Sequence, residues 1–78
     1  MATKAFILVE TAVGRTRDVA STLKAAAGIQ SVDVVMGPYD IIAVIDAPDV
    51  NTMGNILTEK LHTIEGVVRT VTCMAVES

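Results

Sequence analysis

The sequence predicts a single small α+β domain built from four strands and two helices. The chain has 78 residues, which is enough for one domain. Its apolar residues follow strand-like patterns in four segments and helical spacing in two others. Turn-forming residues, such as Gly28 and the pair Gly37-Pro38, separate several of these segments. The predicted order is β-α-β-β-α-β.

The first half of the chain predicts a strand, a helix and a second strand. Residues Lys4 to Thr11 are rich in β-branched and aromatic side chains, which favours a first strand. Apolar positions at helical spacing predict a first helix over Arg15 to Ala27, and Gly28 stands where a helix-ending glycine belongs. The alternation in Ile29 to Val35 predicts a short second strand.

The second half begins with a turn of Gly37, Pro38, Tyr39 and Asp40, which interrupts the apolar pattern. The continuous apolar run from Ile41 to Asp46 predicts a third strand. Because the connection is short, strands two and three are expected to form an antiparallel hairpin.

A second helix is predicted to open at Ala47 to Asp49. Pro48 suits the first helical turn, and Asp49 favours the positive N-terminal end. Gly66 closes this helix, and residues Val67 to Val76 predict the fourth strand. The apolar stripe that predicts an amphipathic helix consists of Val50, Met53, Leu57, Leu61 and Ile64.

This order is the ferredoxin-like split motif, with two helices on one face of a four-stranded antiparallel sheet. The other face would be open, and a face in contact with water should be polar. In the first strand, however, Ala5, Ile7 and Val9 point to one face, and Phe6 and Leu8 point to the other, so both faces are apolar. We therefore expect a second sheet to pack on the open face, giving at least a dimer of the dimeric α+β barrel type.

Composition also favours an oligomer. A domain this small buries only roughly 60% of its unfolded surface and needs further stabilisation. Cys73 is the only cysteine and His62 the only histidine, so neither a disulfide nor a four-ligand metal site is expected. Hydrophobic residues make up 51% of the chain, and the mean hydropathy is +0.54. A subunit interface would bury this excess.

Charge and segment lengths exclude several classes of function. The net charge is −3 and the six basic residues are scattered, so no direct nucleic-acid interface is expected. No apolar run approaches the roughly 20 residues that span a bilayer. The N-terminus has no signal-peptide pattern, which predicts a cytoplasmic protein.

Candidate catalytic groups are few, and no cofactor is expected. His62 lies at the edge of the second helix's apolar stripe, where a surface role suits it better than that of a base. Cys73, inside the fourth strand, is expected to act as a small hydrophobe.

Tyr39 and Asp40 in the turn could hold a small ligand through a ring, a hydroxyl and a carboxylate. Thr70 and Thr72 share one face of the fourth strand and could add hydroxyl groups.

Two strings resemble a known family. Val35 to Ala43 reads VMGPYDIIA and looks like the "G-x-Y-D-hydrophobic" hairpin of the Lrp/AsnC ligand-binding domain. Ile64 to Thr72 reads IEGVVRTVT and looks like that family's "I-x-G-V-x-R/K-T-x-T" signature. Full-length members carry a helix-turn-helix segment ahead of this domain. The first strand here begins almost at Met1, so residues 1–78 are expected to be the effector-binding domain alone.

The resemblance implies a regulatory, non-catalytic domain whose dimers assemble into octameric or decameric rings and bind amino acids between dimers. It implies that the effector site includes Gly37, Tyr39, Asp40, Thr70 and Thr72. Pro38 departs from the family pattern, where an acidic or polar residue is frequent, and this leaves the ligand's identity open.

Three alternatives share this fold. A small dimeric α+β barrel enzyme would need His62 and an acid in a deep pocket. An interaction module would co-assemble with full-length Lrp-like regulators and change their DNA binding. An ACT-type regulatory domain would also bind amino acids, but the Ile64 to Thr72 string favours the Lrp-like family.

Overall fold

A computed structural model describes residues 3–61 and 63–76 of the chain. All six predicted elements are present in the predicted order, which confirms the α+β, ferredoxin-like fold class. Their bounds are β1 Thr3–Thr11, α1 Thr16–Ala25, β2 Ile29–Val34, β3 Ile41–Ala47, α2 Val50–Ile56 and β4 Val67–Met74. The helix α1 is shorter than predicted, because Ala26 already has an extended backbone.

The four strands form one antiparallel sheet in the order β2-β3-β1-β4. The strand β1 is therefore central, and β2 and β4 are the edges. In the register, Ile7 lies between Ala43 of β3 and Thr72 of β4. Directly paired residues project to the same face, so these pairings assign every side chain of the sheet to one face.

The hydrophobic core lies between the sheet and the helices. Alternate residues of β1 and β3, including Ile7 and Ile41, are fully buried there. Val19 and Leu23 of α1, together with Met53 and Leu61, pack on them from the helical side. The predicted placement of both helices on one face of the sheet is thus confirmed.

The second helix differs from the prediction. Only Val50–Ile56 is α-helical, and Leu57–Leu61 forms a π-helical turn. Apolar residues four apart drift by roughly 40° around an α-helix with 3.6 residues per turn. The wider π turn offsets this drift, which allows Leu61 to be as fully buried as Met53. Val50, which the apolar stripe included, is instead 67% exposed.

Asp49 caps α2, whereas Pro48 lies one residue before the cap rather than in the first helical turn. The Thr52 backbone N–H donates to Asp49 Oδ1 at 2.7 Å, which lowers the pKa of that carboxyl. The ionised carboxylate therefore favours the folded helix at neutral pH. That contribution is lost as the pH falls through the lowered pKa. No helix in the described residues is long and apolar enough to cross a membrane.

Two glycines with positive φ hold the helices close to the rest of the fold. Gly28 has φ +89°, and a Cβ there would lie 2.9 Å from Ile56 Cδ1. Gly66 has φ +99°, and a Cβ there would lie 3.0 Å from atoms of both Arg15 and Val19. By contrast, a Cβ at Gly54, inside α2, would meet nothing within 4 Å.

We expect alanine to have opposite effects at two of these glycines. Gly66→Ala should lower the free energy of unfolding by about 1–3 kcal/mol, because alanine is strained at positive φ and crowds α1. Gly54→Ala should raise it by up to about 1 kcal/mol, because alanine is the better helix former. Denaturant unfolding at one fixed protein concentration measures both. A Gly66→Ala protein as stable as the wild type would contradict the tight packing of Gly66 against α1.

Candidate functional site

The predicted turn is a six-residue loop between β2 and β3. The Val35 N–H donates to the Asp40 carbonyl at 2.9 Å and closes the loop, and the Asp40 N–H donates to the Val9 carbonyl at 2.9 Å. Gly37, at the exposed tip, has φ +151°, a conformation that side chains disfavour. The loop is thus anchored at its β3 end to the central strand.

The carboxylate of Asp40 ties this loop to β1 and α1. Its Oδ2 atom accepts the Thr11 backbone N–H at 2.8 Å and the Thr11 hydroxyl at 3.2 Å. The same hydroxyl lies 2.7 Å from the Thr16 hydroxyl in the first turn of α1. The sequence suggested that the Asp40 carboxylate could hold a small ligand. In the structure, one of its oxygens is engaged by the protein.

Tyr39 forms a cluster with Arg69 and Glu10. The Arg69 Nη2 atom donates to the Tyr39 hydroxyl at 2.9 Å, and the guanidinium carbon lies 5.6 Å from the ring centroid. Arg69 Nε also lies 3.7 Å from Glu10 Oε1. Glu10 and Arg69 are paired in the register of β1 and β4, so both project from the open face of the sheet.

Glu10 and Arg69 were not among the predicted site residues. Arg69 occupies the R/K position of the "G-V-x-R/K" part of the strand signature, so its position was visible in the sequence. Its contact with Tyr39, thirty residues away, was not. The Arg69 side chain is 61% exposed, so its guanidinium could also hold a carboxylate from outside.

Thr70 and Thr72 share a face of β4, as predicted, but it is the helical face. They pair with Val9 and Ile7, whose side chains point into the core. Thr70 is half-buried and Thr72 is exposed, because β4 is an edge strand. The structure therefore places both threonines on the opposite face from the Tyr39–Arg69 contact within one chain.

The open face of the sheet is apolar between charged ends. Phe6 is 39% exposed there, and the Lys4 ammonium lies 5.5 Å from its ring centroid. Cys73 is exposed on the same face, paired with Phe6. The apolar members of the face, called the open-face patch below, are Phe6, Leu8, Ile42, Val44, Val71 and Cys73.

Two further predictions concern metal and catalytic groups. Within residues 3–61 and 63–76, no group of three His, Cys, Asp or Glu side chains could hold a metal ion. His62, the candidate base of the enzyme alternative, lies outside the described residues. The residues that come together at the loop instead form a cluster of a guanidinium, a phenol and a carboxylate, which suits binding.

A βαββαβ domain with such a cluster beside an open apolar sheet face is compatible with a small ligand-binding domain. The family model described as "Lrp/AsnC ligand binding domain" matches residues 4–78. The chain therefore belongs to the Lrp/AsnC family.

Individual relatives agree with this assignment. An uncharacterized HTH-type transcriptional regulator of Pyrococcus furiosus is 33% identical over an alignment of 78 positions, which covers 96% of this chain and 52% of that protein. The chain thus spans about half the length of this relative. The crystal structure of TTHA0845 from Thermus thermophilus superposes with a TM-score of 0.92 at 28% identity. It covers 97% of this chain and 95% of that one.

A more distant structure has the same fold. It is a transcriptional regulator of Neisseria meningitidis, crystallised as a complex with L-Met. Its TM-score is 0.85 at 18% identity, over 96% of this chain and 50% of that one. At this identity the match concerns the fold alone.

We expect Asp40 to contribute to stability and Tyr39 much less. Asp40→Ala should lower the free energy of unfolding by about 1–3 kcal/mol, because it leaves the partly buried Thr11 N–H without its acceptor. Tyr39→Phe should change it by no more than about 0.5 kcal/mol, since the lost bond to Arg69 is exposed. Glu59→Ala, at an exposed site in the π-helical turn, is the matched control and should also stay within about 0.5 kcal/mol. Equal stability of the Asp40 and Glu59 variants in denaturant unfolding would refute the structural role of Asp40.

Proposed function

We propose that the chain is a sensing domain that binds an amino acid and works as an oligomer assembled through the open-face patch. The observation that carries the proposal is the match of the Lrp/AsnC ligand-binding family to residues 4–78. The L-Met complex of the Neisseria meningitidis regulator, a protein of the same fold, supports an amino acid as the class of ligand. In this proposal the domain acts by binding and performs no catalytic step.

The charges near the loop match the two ends of an amino acid. The exposed Arg69 guanidinium can hold a carboxylate through two parallel hydrogen bonds. The Glu10 carboxylate, whose Oε1 atom lies 3.7 Å from Arg69 Nε, can turn to an ammonium group. Tyr39 offers its ring to an apolar side chain, and Asp40 holds the loop that carries Tyr39. Glu10 and Arg69 thus join the proposed site of Gly37, Tyr39, Asp40, Thr70 and Thr72.

The positions of these groups favour a site shared between chains. Arg69 and Thr70 project from opposite faces of β4. A compact ligand that touches Tyr39 and Arg69 of one chain is therefore on the wrong side of the sheet for that chain's Thr70 and Thr72. A neighbouring chain can bring its own threonines to the ligand. The proposed ring of dimers, octameric or decameric, would create such junctions.

The open-face patch supports dimerisation. It joins the apolar residues of three neighbouring strands, and isolated domains rarely expose so continuous an apolar face. A second copy can cover it with the same patch, which is the self-complementary arrangement of a two-fold dimer. The equivalent domain of a full-length Lrp-like regulator could pack there too. We propose this as the route to an indirect effect on transcription.

We expect a charge in the patch to separate the subunits. Wild-type protein should sediment at a multiple of 8.2 kDa, and Val44→Lys should sediment as the 8.2 kDa monomer at the same concentration. A buried, unpaired ammonium in the interface costs several kcal/mol. Val13→Lys, at a fully exposed loop residue, is the matched control and should leave assembly unchanged. A wild-type chain that remains monomeric in sedimentation at about 100 µM would contradict assembly through this face.

We expect one or a few of the twenty amino acids to stabilise the protein. A ligand at one hundred times its Kd adds about 2.7 kcal/mol. In a domain of this size each kcal/mol raises Tm by about 4–8 °C, so a thermal-shift screen followed by calorimetry resolves binding. Arg69→Gln should weaken binding about tenfold or more, through the lost charge-assisted hydrogen bonds. Arg17→Gln, on the exposed side of α1, should bind as the wild type does.

Two results would count against this binding proposal. One is the absence of a shift with all twenty amino acids for a protein that is folded and assembled. The other is an unchanged affinity in both Tyr39→Ala, which removes the ring, and Arg69→Gln. Asp40→Ala is less informative here, because its expected loss of stability would confuse the thermal readout.

A further inference from the structure

An open groove of about 650 Å³ lies on the helical side of the molecule. Its lining comes from α1, the residues just after α1, and the π-helical turn with the segment that follows it. None of the loop or β4 residues of the proposed amino-acid site lines it. Its volume lies within the roughly 300–1,000 Å³ typical of sites for small molecules.

The walls of this groove are held in place by specific contacts. Gly66 allows the chain before β4 to approach Arg15, and Gly28 allows the chain after α1 to approach Ile56. The Lys60 ammonium donates to the Ala27 carbonyl at 3.1 Å and joins the π-helical turn to the end of α1. The π-helical turn thereby places a cation at one wall, facing the end of α1.

The two cations of the groove have unused hydrogen-bonding capacity. Arg15 Nε is buried yet has no hydrogen-bond partner among the described residues. Its nearest carboxylate, Asp18, is 3.6 Å from Nε, and Glu65 is 3.7 Å from Nη1, both beyond hydrogen-bond distance. Both acids are largely exposed, so solvent screens them and they can turn away. A buried donor without an acceptor requires an explanation, such as local strain or a water, an ion or a ligand that binds there.

We propose that this groove is a second ligand site, which takes a small carboxylate with a short apolar body. The carboxylate would accept from the Arg15 guanidinium and from the Lys60 ammonium, replacing the loose contact with Glu65. Arg15 Nε is closed to solvent, and a rotation of the 39% exposed Arg15 side chain would turn it to the ligand. The apolar body would lie on the methyl groups of Ala25 to Ala27 and on Ile64, which complete the lining. This groove is independent of the amino-acid site, since the two share no residue.

The probe is isovalerate, with isoamyl alcohol as a control that has the same carbon skeleton and no charge. Two-dimensional NMR of nitrogen-15-labelled protein should show saturable shifts at Arg15, Ala26 and Lys60 with isovalerate and not with the alcohol. Lys60→Gln should weaken binding about tenfold, and so should Arg15→Lys, which keeps the charge but removes the Nε donor. Arg17→Gln, outside the groove, should bind as the wild type does.

Arg15 packs against Gly66, so its variant could fail to fold. Ala25→Leu provides a test that changes no charge, because Ala25 is exposed and a larger side chain would fill the groove. It should abolish the isovalerate shifts while the rest of the spectrum is retained. Tyr39→Phe should bind isovalerate normally whatever it does to amino acids. The absence of saturable shifts, equal shifts with the alcohol, or unchanged binding in both Lys60→Gln and Ala25→Leu would overturn the proposal.

Discussion

The central strand β1 is apolar on both faces, and the rest of the structure depends on this constraint. On one face, Ala5, Ile7 and Val9 are buried beneath the two helices. On the other face, Phe6 and Leu8 belong to an apolar patch that no element of the described chain covers. Since β1 is hydrogen-bonded on both sides, it cannot turn to hide the second face. The helical half of the core folds within one chain, and in our proposal another surface covers the open half.

The same central strand organises the candidate site. Its end at Glu10 and Thr11 is where the β2–β3 loop and β4 converge. Asp40 reaches Thr11 from one side, and Arg69 reaches Glu10 from the other. Tyr39 then bridges to Arg69 across the end of the sheet. The loop is thus positioned by ordinary strand pairing together with one carboxylate, and we propose that the Arg69 guanidinium and the half-buried Tyr39 phenol serve recognition.

Much of this fold could be predicted from the sequence, because each helix or strand has its own local pattern of residues. The periodicity of the strands gave their order, and the two-residue spacing of Thr70 and Thr72 placed them correctly on one face. That spacing could not say which face, since β4 gives no clear apolar contrast between its two sides. The π-helical turn was missed because helical spacing assumes a constant pitch, and only the packing of Leu61 against the sheet reveals the change. The contact of Arg69 with Tyr39 depends on strand register, which a single sequence does not provide.

The polar side chains of β4 are divided between the two faces of the sheet. An edge strand such as β4 presents alternate side chains to opposite sides of the sheet. Arg69 therefore lies on the open side of the sheet, and Thr70 and Thr72 lie on the side of the helices. In the proposed assembly, neighbouring chains would combine the two sides of their β4 strands around one small molecule. Assembly and recognition would then be linked, because a ligand held by two chains stabilises their contact by the same free energy with which the contact strengthens binding.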